Sequence, residues 1–249
     1  EVMAGLGATY TLNDNWQLLA GVHQGFAPPG GGATDGTGAE ESLNYEFGGR
    51  YRSERLSADI VAFFSDYENT VNNCSIANPC SDGAESGTES FGESEIMGLE
   101  LSLRTVLMES ASFQMPFTLA YTYTDAEVTK NADSGDVLKG DNLPYLPENV
   151  LNMSFGIEDN QGRKAYLSAT YVDEMCVDNQ CERPVDQRFR STDSYVSVDF
   201  AASMPLAENV EVYTRIDNLL DDESIVARSP AGARVNLPRT ASVGVRVNF

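Results

Sequence analysis

The chain has 249 residues, 41% of them hydrophobic, and its 38 acidic against 16 basic side chains give a formal charge of −22. That length can bury a sizeable core in one large domain or two smaller ones, while the charge argues against a nucleic-acid partner, because phosphate binding needs basic surface. The longest uninterrupted apolar run, Ile60 to Phe64, is far short of the roughly 18 residues of a membrane helix, so no helix is expected to cross a bilayer.

The opening EVMAGLGATY lacks the basic region, apolar core and cleavage site of a signal peptide, as expected of a mature chain or a fragment. From there, period-two alternation predicts strands at 2–12, 16–26, 42–52, 56–70, 93–104, 113–126, 147–158, 164–173, 193–203, 210–217 and 239–249, about eleven in all. Leu43, Tyr45, Phe47 and Tyr51 oppose Ser42, Asn44, Glu46 and Arg50. Leu151, Met153, Phe155 and Ile157 oppose Asn152, Ser154 and Glu158, and Val196, Val198 and Phe200 oppose Ser197 and Asp199. The last strand, SVGVRVNF, puts Val243, Val245, Val247 and Phe249 on one face and Arg246 and Asn248 on the other. Every second residue meets a different solvent.

Connection lengths alternate. Those at 13–15, 53–55, 105–112, 159–163 and 204–209 are short, and those at 27–41, 71–92, 127–146, 174–192 and 218–238 are long. Tight turns at one rim and long loops at the other are the asymmetry of an outer-membrane barrel. A soluble β-sandwich would also alternate, but it needs no such parity. The polar faces here include charges such as Glu46, Arg50, Asp59, Glu100 and Arg104, which suit a watery lumen. Aromatic residues near strand ends, namely Tyr10, Trp16, Phe26, Tyr67, Phe113, Tyr171, Tyr195 and Phe249, are read as interfacial girdles. The fold class is therefore all-β, an antiparallel transmembrane barrel with short periplasmic turns and long extracellular loops. An odd strand count cannot close an antiparallel barrel, so more strands are expected than residues 1–249 supply.

Both cysteine pairs, Cys74 with Cys80 and Cys176 with Cys181, fall in long polar loops. Two short disulfides are expected, as in an oxidising compartment. Zinc is the rival, but His23 is the only histidine and neither pair has CxxC spacing. No metal site or cofactor is expected.

Three stretches carry a family resemblance. Arg215 to Phe249 reads "NLLD … GAR … PRT … VGVRVNF", Gly21 to Tyr51 contains GFAPPGGG followed by EESLNYEFGGRY, and Leu143 to Glu158 reads LPYLPENVLNMSFGIE. Together they resemble the C-terminal half of the barrel of a TonB-dependent outer-membrane receptor, of the ferric-citrate or siderophore type. The resemblance implies a 22-stranded barrel whose N-terminal plug, TonB box and first strands are absent from residues 1–249. It also implies import of a ferric siderophore energised by the TonB-ExbB-ExbD complex. Phe249 matches the signal read by the barrel-assembly machinery, and membrane lipid and lipopolysaccharide are expected neighbours.

Binding an anionic chelate calls for guanidinium groups near the barrel mouth. Arg183, Arg188, Arg190, Arg228 and Arg234 lie in the long loops, with acids such as Glu182, Asp186 and Asp221 as competing partners. Two rival functions are a passive porin-like channel and an outer-membrane hydrolase. The hydrolase would have to use His23 with Ser42 or Asp35. The acids Asp221, Asp222 and Glu223 suggest divalent cations as a further partner.

Overall fold

The computed structural model describes residues 2–28, 38–74, 86–130, 138–178, 181, 191–228 and 232–248. Its strands are β1 (Gly5–Thr11), β2 (Trp16–Ala27), β3 (Glu40–Arg52), β4 (Leu56–Cys74), β5 (Gly87–Glu109), β6 (Phe113–Lys130), β7 (Asn149–Asp159), β8 (Lys164–Val172), β9 (Tyr195–Ala207), β10 (Val210–Asp217), β11 (Ile225–Ala227), β12 (Arg234–Val235) and β13 (Thr240–Val247). Eleven of them form one antiparallel sheet in chain order, from β1 through β10 to β13. The remaining two, β11 and β12, make a separate hairpin within the last long loop. At three and two residues these are too short for periodicity to show.

The turns at one rim owe their shape to single polar side chains. Asn13 Oδ1 accepts from the N–H groups of Asn15 and Trp16, Ser53 Oγ from Leu56 N–H, and Ser110 Oγ from Phe113 N–H. Such residues bond the backbone two or three positions on and so stabilise tight reversals. Asp159 does the same at the next turn, accepting from the N–H groups of Gln161 and Arg163 and from Arg163 Nε. Desolvation alone would raise its carboxyl pKa, but these donors hold it below the ordinary value. A depressed carboxylate stabilises the fold above the unfolded-state value and loses that contribution as pH falls through the folded one. Acidification through the lowered folded-state value is therefore expected to reduce the protection of the Gln161 and Arg163 amides, measured against their intrinsic exchange rates. Asp159→Asn should show the reduced protection already at pH 7.

Cross-strand partners share a face, so the register settles which residues do. Arg50, Asp59 and Ser102 are in line across β3, β4 and β5, as are Glu46, Phe63 and Gly98. Tyr45, Phe64 and Met97 occupy the opposite face. The polar face is concave, holding a cavity of about 510 Å³ between Arg52, Asn152 and Thr170. The other face exposes Phe47, Ile60, Phe155, Leu167 and Val243. Among the described residues only Val128, Leu143 and Val172 are buried hydrophobics. A sandwich would have an apolar core between its layers, whereas this sheet has lipid-facing side chains on one side and a wet hollow on the other.

The ring pairs Trp16–Tyr51 and Phe117–Phe155, with centroids 4.9 and 4.6 Å apart, lie on the outward face. Two of the aromatics read as girdle residues do not. Tyr67 is paired with Ser42 and Ser94, and Tyr195 with Val172, on the concave face. Being near a strand end does not give the face; parity along the strand does. Phe249 lies outside the described residues.

Strands β4 and β5 extend well past their predicted ends, to 19 and 23 residues. At the opposite rim β5 and β9 also run on, leaving turns of only 110–112 and 208–209. The sheet stays open, with β1 and β13 as its edges; β1 is exposed along its whole length.

Candidate functional site

Chemistry at a barrel mouth depends on loops held in fixed positions. Loop 218–239 is organised by Asn218, which has φ +50° and is 3% exposed. Its Nδ2 donates to the carbonyls of Asp222 and Leu237, 2.8 and 2.9 Å away, and its Oδ1 accepts from Asp222 N–H. Its own N–H donates to Asp199 Oδ1 on β9. Asn tolerates this left-handed backbone better than most residues. Asp221, also left-handed at φ +57°, receives Arg239 N–H and Nη2, each at 3.1 Å. The "NLLD" and "PRT" stretches of the sequence are thus the two halves of a clasp that returns the loop to the sheet.

A second set of bonds ties neighbouring loops together. Arg228 Nε donates to Ser191 O at 2.5 Å, and Arg228 N–H donates to Tyr145 Oη. Tyr145 N–H reaches Cys176 O, Thr192 N–H reaches Met175 O, and Asp193 Oδ2 accepts from Ile225 N–H. Cys176 and Cys181 form a disulfide beside a cavity of about 640 Å³ that Asp125, Asn142, Glu148 and Glu174 also line. Closing so small a ring stabilises the loop by roughly 2 kcal/mol. Mild reduction, or Cys176→Ser with Cys181→Ser, is expected to speed protease cleavage between 174 and 192 while leaving the unfolding midpoint of the sheet within about 1–2 °C, because the bridge closes a loop and links no two strands of the sheet. Limited proteolysis alongside a denaturation curve checks both halves.

Of the five arginines proposed from sequence, Arg228 and Arg234 lie in loop 218–239, Arg228 acting as the cross-link just described. Arg183, Arg188 and Arg190 lie outside the described residues, as do Glu182, Asp186 and Asp35. Asp221, expected to compete for a loop arginine, holds Arg239 instead. Cys74 closes β4, but Cys80 and hence that pairing lie outside the described residues. His23 stands on the concave face between Gly5 and Asn44. Ser42 Oγ, its possible nucleophilic partner, accepts from Asn44 Nδ2 at 3.0 Å. The acids 221–223 do not converge: Asp222 Oδ2 accepts from Ser224 Oγ, and among the described residues no group of three or more His, Cys, Asp or Glu is placed to hold a metal ion.

Sequence reasoning missed the positions of Asn218, Tyr145 and Ser191 as loop ties. It also missed a concentration of arginine low on the concave wall. Asp59 accepts from Arg50 Nε at 2.6 Å and from Arg52 Nη2 at 2.7 and 3.0 Å. The alternation had placed these charges in the lumen, but only the register brings β3 and β4 together there.

A curved antiparallel wall, apolar outside and wet within, with tight turns at one rim and interlocked loops at the other, is the wall of a transmembrane β-barrel. A family model described as TonB dependent receptor-like, beta-barrel, matches residues 4–219, and the chain belongs to that family. Its setting is the outer membrane of Gram-negative bacteria. The pesticin receptor of Yersinia enterocolitica is 23% identical over 269 residues, covering 100% of this chain and 36% of that receptor. The metal-pseudopaline receptor CntO of Pseudomonas aeruginosa is 28% identical over 226 residues, covering 87% of this chain and 29% of its own length. In structure, the ferric yersiniabactin uptake receptor FyuA of Yersinia pestis superposes with a TM-score of 0.77 at 20% identity, covering 100% of this chain and 37% of that one. The chain thus spans about a third of the length of these relatives.

Proposed function

We propose that this chain is the C-terminal part of the barrel of an outer-membrane receptor that imports a ferric chelate with energy delivered through TonB, ExbB and ExbD. The family match over residues 4–219 carries the reading. The open edges β1 and β13 support the partial barrel, because unpaired strand edges in lipid leave backbone groups unsatisfied at several kcal/mol each. Strands elsewhere in a longer protein would pair with them, and a plug would fill the lumen. Relatives named for metal-pseudopaline and ferric yersiniabactin support a metal chelate as cargo, with a siderophore or ferric citrate as the candidates. Arg183, Arg188, Arg190, Arg228 and Arg234 are the proposed loop contacts for an anionic chelate. Phe249 is the proposed assembly signal, and the outward apolar face borders lipid and lipopolysaccharide. The work is binding and passage without covalent chemistry.

The test is growth of the native bacterium under iron starvation on a panel of ferric chelates, with the receptor gene deleted, restored, and restored in a strain lacking TonB. Restoration that needs TonB is expected for at least one chelate. Uptake that is indifferent to TonB would overturn the reading in favour of a passive channel.

A further inference from the structure

In a chain of charge −22, the lower concave wall is locally basic. Arg50 and Arg52 both spend their charge on Asp59, whose two oxygens accept three guanidinium hydrogen bonds. Arg104 stands on the same face of β5, opposite Ser57 and Thr118. It is exposed and, among the described residues, makes no hydrogen bond or ion pair. Three guanidinium groups against one carboxylate leave two positive charges beside the cavity of about 510 Å³. Beyond Arg104 the register continues the wall with hydroxyls, Thr118 to Ser154 to Ser168, and Ser168 Oγ bonds Ser154 Oγ at 2.9 Å. Glu46 and Glu100 on this face stand nearer the loop rim and Asp199 lies beyond Ser168, while Lys164, Arg215 and Arg246, basic residues further along it, are each paired with an acid, Glu158, Asp217 and Glu211.

We propose that Arg104, backed by Arg52, is a binding point for a carboxylate group of a ligand crossing the lumen. It lies on the wall well below the loops at the mouth. Charge complementarity favours an oxyanion there: a guanidinium without a partner presents a planar fork that matches a carboxylate bidentately, and the hydroxyls at Thr118 and Ser154 can donate to the remaining lone pairs of the same two oxygens. A lumenal wall also screens less than open water, because low-dielectric sides focus the field of the unpaired charge. The inference rests on the import reading and adds a station on the path to it.

The full-length receptor, purified in detergent, is treated with the arginine reagent phenylglyoxal at constant ionic strength, with either citrate or sodium chloride, and modified residues are mapped by peptide mass. Arg104 is expected to react readily in chloride and about tenfold more slowly once citrate exceeds its dissociation constant tenfold, as mass action requires. Arg50, committed to Asp59 and outside the proposed contact, serves as the internal control whose slow reaction citrate leaves unchanged. Equal modification of Arg104 with and without citrate would overturn the proposal. So would an Arg104 already unreactive in chloride, which would mean that a segment of the receptor itself occupies it. Failure of the import reading would show separately, as iron uptake indifferent to TonB.

Discussion

Asn218→Ala is expected to free loop 219–239 from the sheet. The substitution strips the Leu237 carbonyl and the Asp222 N–H of these partners and leaves the Asp222 carbonyl with Asn236 Nδ2 alone, at a site 3% exposed, and a buried polar group left unsatisfied costs about 1–3 kcal/mol. Alanine at φ +50° adds about 1–2 kcal/mol of backbone strain. Because these losses overlap, a local destabilisation of roughly 3–5 kcal/mol is expected rather than their sum. Amide exchange should rise throughout 219–238 and stay unchanged in β2 to β8. Asn218→Gly separates the causes, since it relieves the backbone strain but not the lost bonds. A loop as protected in Asn218→Ala as in the parent would show that the clasp is incidental.

Gly98→Val is expected to block assembly of the wall itself. A Cβ at Gly98 would collide with the carbonyl oxygen of Tyr123 and come within 2.5 Å of the Phe63 ring. The ring could turn, but the Tyr123 oxygen belongs to the backbone of β6, next to β5 in the sheet. Overpacking ordinarily costs 1–3 kcal/mol, and a backbone obstacle puts this case at about 3 kcal/mol or more. The full-length variant should reach the outer membrane in reduced amount and lose the heat-modifiable gel migration of a folded barrel. Gly156 lies against Tyr166 and Gly244 against Tyr213 in the same way, so the concave wall repeatedly uses a glycine to let a neighbouring ring lie flat. Phe63→Ala combined with Gly98→Ala should recover little, because the carbonyl contact remains.

The strands were legible because lipid and lumen impose opposite solvents on alternate residues, and that signal survives wherever a strand crosses the membrane. It fails where both sides of a strand are wet. The extension of β4 through TVNNC and the start of β5 at GTESFGE carry no alternation of apolar residues, so their pairing was invisible. Faces could be assigned from parity, yet Tyr67 and Tyr195 show that counting aromatics near strand ends without parity misplaces them. The site was legible in its letters but not in its contacts. "NLLD" and "PRT" stood out as a family resemblance, while the clasp depends on a left-handed backbone at Asn218 and Asp221 that no periodicity reveals. The arginines at 50 and 52 come from β3 and Arg104 from β5, and only the hydrogen-bonded register brings them onto one stretch of wall on either side of Asp59 in β4.

Pairing between β3 and β4 ends at Glu41 with Glu68, and between β5 and β6 at Glu93 with Lys130, yet β4 and β5 stay paired to Cys74 and Gly87. The register shifts between Tyr67 and Thr70, where Asn69 takes φ +54°. A bulge of that kind bends a ribbon and increases its twist. About 9–11 residues suffice to cross the hydrocarbon layer, so much of the 23-residue β5 stands clear of it as a two-stranded spur. The spur therefore lengthens the wall on its loop side beyond what spanning the membrane requires. Among the described residues no third strand is paired along it, so substitutions there are expected to disturb the sheet less than substitutions in the wall beneath.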